Sequence, residues 1–294
     1  MSTLEPAAGR PRSAQGRSFV RQRAGVAAAI LIAAIPTLTG CPAQSDDRPS
    51  ERGPSSAPTG PSSQEIRAID FAGREWFDAV TNSTVQLRDG KAERRGDEGM
   101  DAYRWKMAGP PRYADADGDG DTDAAVGLAV EGGQTSSVSW YIWLWHEGDA
   151  QQLRRPIAEA SRCDGLIEAV DPVPTGFSVE GFVWGPEDDC AGGGSVPIAY
   201  VAAVRQGWPV RISPRLGPIT TCSPGELAEH LVPTSEVLLH TWPDGRSPVV
   251  EPAARYDALI TDYSELTGRW TLVVALRGED RICGWAESTL IRRG

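Results

Sequence analysis

The sequence predicts a mainly β protein of antiparallel strands, and three observations carry that expectation. From about residue 65 the apolar segments are short, and turn signals such as Asp89-Gly90, Gly132-Gly133 and Gln206-Gly207 separate them. Residues 137–148, SVSWYIWLWHEG, gather β-forming aromatic side chains into one run. Long amphipathic helices are hard to find.

In chain order, the first forty residues read as a leader outside the fold. Arg10, Arg12, Arg17, Arg21 and Arg23 make a basic start, residues 24–38 (AGVAAAILIAAIPTL) an apolar core, and small residues follow. That is the pattern of a secretory signal peptide. A membrane span is the alternative, but the apolar stretch is shorter than the roughly 18 to 20 residues a span needs, and Pro36 interrupts it. The segment ends in Leu38-Thr39-Gly40-Cys41, which resembles the bacterial lipobox. The resemblance implies a lipoprotein signal peptide over 1–40, with Cys41 lipidated (a palmitate-type anchor) as the new N-terminus. Residues 41–64 are Pro-, Ser-, Gly- and charge-rich with almost no large apolar side chain, so they read as a disordered tether.

The chain carries 29 basic and 40 acidic side chains; residues 1–40 hold five of the former and one of the latter, so 24 minus 39 leaves −15 beyond them. Such a balance argues against nucleic acid and against electrostatic adhesion to anionic lipid. The expected membrane partner is reached through lipid on Cys41, which holds firmly only with more than one acyl chain.

Next comes YADADGDGDTDAAVGL, residues 113–128, with five aspartates in nine positions. Like charges this close need water or a cation to compensate them. With Gly120 at the turn, Asp115, Asp117, Asp119 and Asp123 take alternate places around one ion, and Asp121 offers its backbone carbonyl, a spacing suited to Ca²⁺. Val126 stands where the terminal bidentate Glu of an EF-hand loop belongs. A solvated Asp/Gly turn is the alternative. The stretch resembles the DxDxDGxxD loops of FG-GAP and VCBS-type repeats, which lead straight into a strand; here that strand is AAVGLAV, residues 124–130. The resemblance implies a structural calcium ion. No second copy of the motif occurs, so a propeller of such repeats is not expected.

In residues 137–148, Trp143 and Trp145 fall on one strand face, Ile142 and Leu144 on the other. Residues 198–204 and 209–212 read as a hairpin around Arg205-Gln206-Gly207. Residues 213–226 are rich in Pro and Gly and mark a boundary, giving an antiparallel β domain over 65–220 and a second domain over 221–294. One short helix is expected over 224–231, with Ser223 as N-cap and Glu226 as the third helical residue.

Residues 269–291, RWTLVVALRGEDRICGWAESTLI, resemble the end of a bacterial SH3-like domain, a small β-barrel. A strand led by Trp270 passes through a polar turn into Gly284-Trp285 and a final turn anchored by Leu290, while 238–250 resembles its first strand and loop. The resemblance implies binding to peptidoglycan or an envelope protein. Trp242 and Trp285 are then the candidate partner contacts, as aromatic side chains carry much binding energy; filling the barrel core is the other role open to them.

Apart from Cys41 four cysteines remain: Cys163, Cys190, Cys222 and Cys283. An even number in an exported chain reads as disulfides, with three possible connectivities. Pairing Cys163 with Cys190 and Cys222 with Cys283 closes the shorter loops at least entropic cost. A zinc site has the wrong spacing and few histidines.

No G-x-S-x-G, H-E-x-x-H or P-loop motif occurs. AGGGSV (191–196) reads as a flexible loop, His146 as an edge histidine, and Asp188 and Asp189 have nothing to mark them as acid and base. The expected function is therefore non-enzymatic: a lipid-anchored extracytoplasmic protein that binds or scaffolds in the cell envelope. A hydrolase of envelope glycans or peptides is the alternative, because dispersed carboxylates leave no motif.

Overall fold

The computed structural model describes residues 65–293 except 96–101, 134, 186, 191, 221, 223–228 and 262–267. The leader, the tether and Cys41 lie outside the described residues. Among those described, every regular element beyond three-residue 3-10 turns is a strand, and no helix is long and apolar enough to cross a membrane.

A hairpin of β1 (Glu75–Asp78) and β2 (Ser83–Gln86) opens the fold. A sheet follows from β3 (Lys91–Arg94), β4 (Tyr103–Met107), β5 (Arg112–Ala114), β6 (Asp123–Gly132), β7 (Thr135–His146), β8 (Asp149–Gln152) and β9 (Ala158–Ser161). Its strand order is β3-β4-β6-β7-β8, with β5 also paired to β6 and β9 to β7. A third sheet runs in sequence order through β10 (Gly165–Val173), β11 (Gly176–Val183), β12 (Val196–Arg205) and β13 (Trp208–Ser213). Every pairing is antiparallel.

The strand periodicity of two explains the layering. Tyr141, Trp143 and Trp145 of β7, with Ala124, Val126, Leu128 and Val130 of β6, enter one core beside Phe71, Trp76 and Trp105. Trp140 and Ile142 face the opposite way, into a second core with Phe177, Val179 and Ala202 of the third sheet. The β6–β7 pair is thus buried on both faces, which is why its sequence reads as a nearly continuous apolar run. Small residues keep the two faces compatible: a Cβ on Gly127 would meet Trp140 and Ala108 at 3.0 Å. Trp143 packs edge-to-face on Phe71 (5.3 Å between ring centres) and Trp76 (5.0 Å), arrangements that add about 0.5–1.5 kcal/mol each beyond burial.

The hairpin expected around residues 205–207 is present as β12–β13, closed by Gln206 (φ +54°) and Gly207 (φ +77°). Two successive left-handed residues match the twist of the flanking strands, so this turn holds its register.

The C-terminal sheet contains β14 (Glu229–Pro233), β15 (Val237–His240), β16 (Val249–Ala254), β17 (Ala258–Thr261), β18 (Trp270–Arg277), β19 (Asp280–Glu287) and β20 (Ile291–Arg293). Their order is β16-β15-β19-β18-β17-β14-β20. Leu231, Leu239, Leu259, Val273, Ile282 and Ile291, drawn from six of these strands, meet in one core, so the sheet curls on itself as a half-barrel. The helix expected over 224–231 is corrected where it is described. Residues 229–231 are strand β14, paired on one side with β17 and, through Leu231, on the other with β20; residues 223–228 lie outside the described residues. Two ladders outweigh a local helical preference worth only tenths of a kcal/mol per residue.

Candidate metal centre

The aspartate segment is the loop of a hairpin. β5 and β6 pair with Ala114 opposite Asp123, and residues 115–122 join them. The side chains build the turn themselves. Asp115 accepts the N–H of Gly118 (2.7 Å) and of Gly120 (3.1 Å), Asp117 that of Asp119 (3.1 Å), and Asp119 that of Asp121 (2.8 Å). Such local bonds are what aspartate offers in turns. Gly120 has φ +95°, a conformation that favours glycine.

Asp123 behaves differently from its neighbours. It is 1 % exposed. Its Oδ2 accepts the Ala116 N–H at 2.8 Å and its Oδ1 the Trp145 N–H at 2.9 Å. One carboxylate therefore joins the loop, β6 and β7. The loop is also tied to the third sheet, because the Ala116 carbonyl accepts the Val204 N–H at 2.7 Å. Burial pushes the Asp123 pKa up to about 7, against the two N–H groups that favour its charge, and the charges of Asp117 and Asp119 add to the rise. Burial also raises Asp117, and repulsion from Asp119 and Asp115 works in the same direction.

Of the five aspartates, Asp115, Asp117 and Asp123 each bring a carboxylate oxygen within 4.8 Å of the others. Asp119 and Asp121 stand outside that group. Val126 is buried in the core on β6, so the missing terminal carboxylate has no substitute there. The three that converge fit a hard divalent cation. They are oxygen donors, they crowd one another, and a carboxylate oxygen that accepts one N–H retains a second lone pair.

Cys163 pairs with Cys190 and Cys222 with Cys283, at Cα separations of 4.2 and 5.6 Å. Of the three connectivities this one has the smallest combined loop length, with separations of 27 and 61 residues. With all four thiols consumed there is no cysteine zinc site among the described residues, and the pairing is that of an oxidising, extracytoplasmic compartment.

Neither candidate contact tryptophan belongs to the half-barrel core. Trp242 turns toward the third sheet: its indole N–H donates to the Pro209 carbonyl at 2.6 Å and its ring lies 6.5 Å from that of Trp208. The Arg155 guanidinium stacks over both rings, at 4.0 Å for Trp208 and 5.4 Å for Trp242. Trp285, opposite His240, is half-buried on the face of β19 away from the core. His146 is an exposed residue at the end of β7. Asp188 closes its own loop, accepting the N–H groups of Gly185 and Ser195 at 2.7 Å each.

No family model, curated protein or solved structure matches the chain.

Proposed function

We propose that this is an extracytoplasmic lipoprotein, anchored to the outer face of the bacterial cell membrane through Cys41, that binds or scaffolds in the cell envelope without catalysing a reaction. One observation carries the reading. The two disulfides use all four downstream cysteines, so the cysteine of LTGC is the odd one of five. An odd cysteine in an exported chain calls for another use, and lipidation is that use. The half-barrel supports the SH3-like resemblance, with its 3-10 turn at Ser288–Leu290 before the last strand and Leu290 packed on the core. Peptidoglycan or an envelope protein is the corresponding partner.

Calcium held by Asp115, Asp117 and Asp123 is the structural part of the proposal. The ion would supply positive charge where burial and mutual repulsion disfavour three carboxylates, and so brace a loop that ties β5, β6, β7 and β12 together.

Fractionation of cells making the parent or Cys41→Ser chain tests the anchor. Membrane-bound parent and released variant are expected; equal distribution would overturn it. Co-sedimentation with purified cell wall tests the binding, and release of reducing ends or new amines would replace binding with hydrolysis.

A further inference from the structure

The inner face of the third sheet is longer than the core that covers it. Phe177, Val179, Ala202 and Val204 pack against the β6–β7 layer. On the same faces of β11 and β12, Ile198 and Tyr200, which also pack in this core, and Val183 beyond it line an open cleft of about 590 Å³. That volume is within the range of small-molecule sites, about 300–1,000 Å³. Trp184, 49 % exposed, and Trp242 also line it.

The polar handles of these aromatics are already used. The Trp184 indole donates to the Asp189 carbonyl (3.2 Å), that of Trp242 to Pro209, and the Tyr200 hydroxyl to the Ile157 carbonyl (2.9 Å). Of the three, Trp184 presents exposed ring surface, while Tyr200 is buried and the Trp242 ring carries the Arg155 guanidinium. The cleft is also lined by two cations, Arg154 and Arg155, and two carboxylates, Glu159 and Asp164. The charges balance, so neither a polyanion nor a polycation is selected. The walls β11 and β12 are interior strands with both edges paired, so they have no free ladder to offer a peptide backbone.

We infer that this cleft is a saccharide-binding site, in which a sugar ring lays its C–H face on Trp184 and its hydroxyls bond to Glu159 and Arg154. A pyranose has an apolar face to bury on an indole and a rim of hydroxyls that both donate to carboxylate and accept from guanidinium. The inference rests on the reading of the chain as an envelope-facing binding protein and names the class of its ligand.

The test is isothermal titration calorimetry of the full-length protein in detergent micelles. The probes are cellotetraose, xylotetraose and chitotetraose, with tetra-alanine as an uncharged peptide of similar length. At least one saccharide should bind saturably, and Trp184→Ala should weaken it roughly tenfold, as for a truncated aromatic anchor. Glu159→Gln, which keeps the side-chain shape, should weaken the same saccharide. The inference is overturned if no saccharide saturates, if only tetra-alanine binds, or if both variants bind like the parent. A protein that Cys41→Ser releases from the membrane, yet that ignores every saccharide, loses the cleft assignment and keeps its anchor.

Discussion

The β6–β7 pair and the C-terminal half-barrel both bury antiparallel strands, but by opposite means. β6 and β7 lie between two cores, so other layers cover both their faces. The half-barrel has one core and covers itself by curling, with a disulfide joining the segment before β14 to β19. A doubly covered strand is held by the side chains around it. A self-covered sheet is held by its closure, and a covalent link adds most there.

That contrast is broken most directly at Trp143. Trp143→Ala empties the space beside Phe71 and Trp76 and should cost about 5 kcal/mol, the upper end for aromatic truncation in a core; denaturant unfolding measures it. A loss near 1 kcal/mol would mean that the doubly covered strand does not carry its region. Replacing Cys222 and Cys283 together by Ser should cost about 4 kcal/mol from the loop-closure model for a 61-residue loop. Calorimetry should then show the half-barrel melting before the rest, and a single unchanged transition would refute the role given to closure.

Calcium sharpens the comparison, since its proposed ligands belong to the first region alone. For an affinity of the extracellular kind, roughly 0.1–1 mM, adding about 2 mM calcium to chelated protein should stabilise it by about 1–2 kcal/mol. In the Cys222→Ser, Cys283→Ser chain only the later transition should rise, and Asp117→Asn should suppress the rise. No difference between calcium and chelator would leave the aspartates a solvated turn.

The smallest effect is a titration. Burial pushes Tyr141, in the first region, and Tyr256, in the half-barrel, up to about 12, with Glu251 adding to the rise only at Tyr256, whose hydroxyl donates to it at 3.1 Å. Both phenols are kept neutral by the fold. Their stabilisation is complete below the unfolded value near 10 and is lost as pH rises through about 12. Glu251→Gln should lower the Tyr256 pKa and leave that of Tyr141, read from phenolate absorbance; equal shifts would contradict the two origins.

The parts legible in the sequence were those whose cause is local. Alternation along residues 137–148 separates the two faces of β7, and Gly207 marks the β12–β13 turn because left-handed backbone favours glycine. The aspartate spacing locates a loop, but it does not tell which carboxylates converge, because that depends on burial of Asp123 against β7. Residues 229–231 read as helix because their strand partners lie 28 or more residues away in the chain, at β17 and β20. The docking of Trp242 on Trp208 and the cleft around Trp184, Tyr200 and Glu159 have no signature at any fixed spacing; only the folded chain brings them together.

The 61-residue covalent loop also sets a mechanical property. Tension applied at the C-terminus reaches Cys283 and passes through sulfur to Cys222, bypassing β14 to β18. At about 3.3–3.6 Å per extended residue, roughly 200 Å of contour length stays out of the load path. Pulled from that end, the protein should give up its last strand and the end of β19, then bear force through the bond. Under oxidising conditions the half-barrel would then act as a short tether stop, and under reducing conditions as an extensible spring.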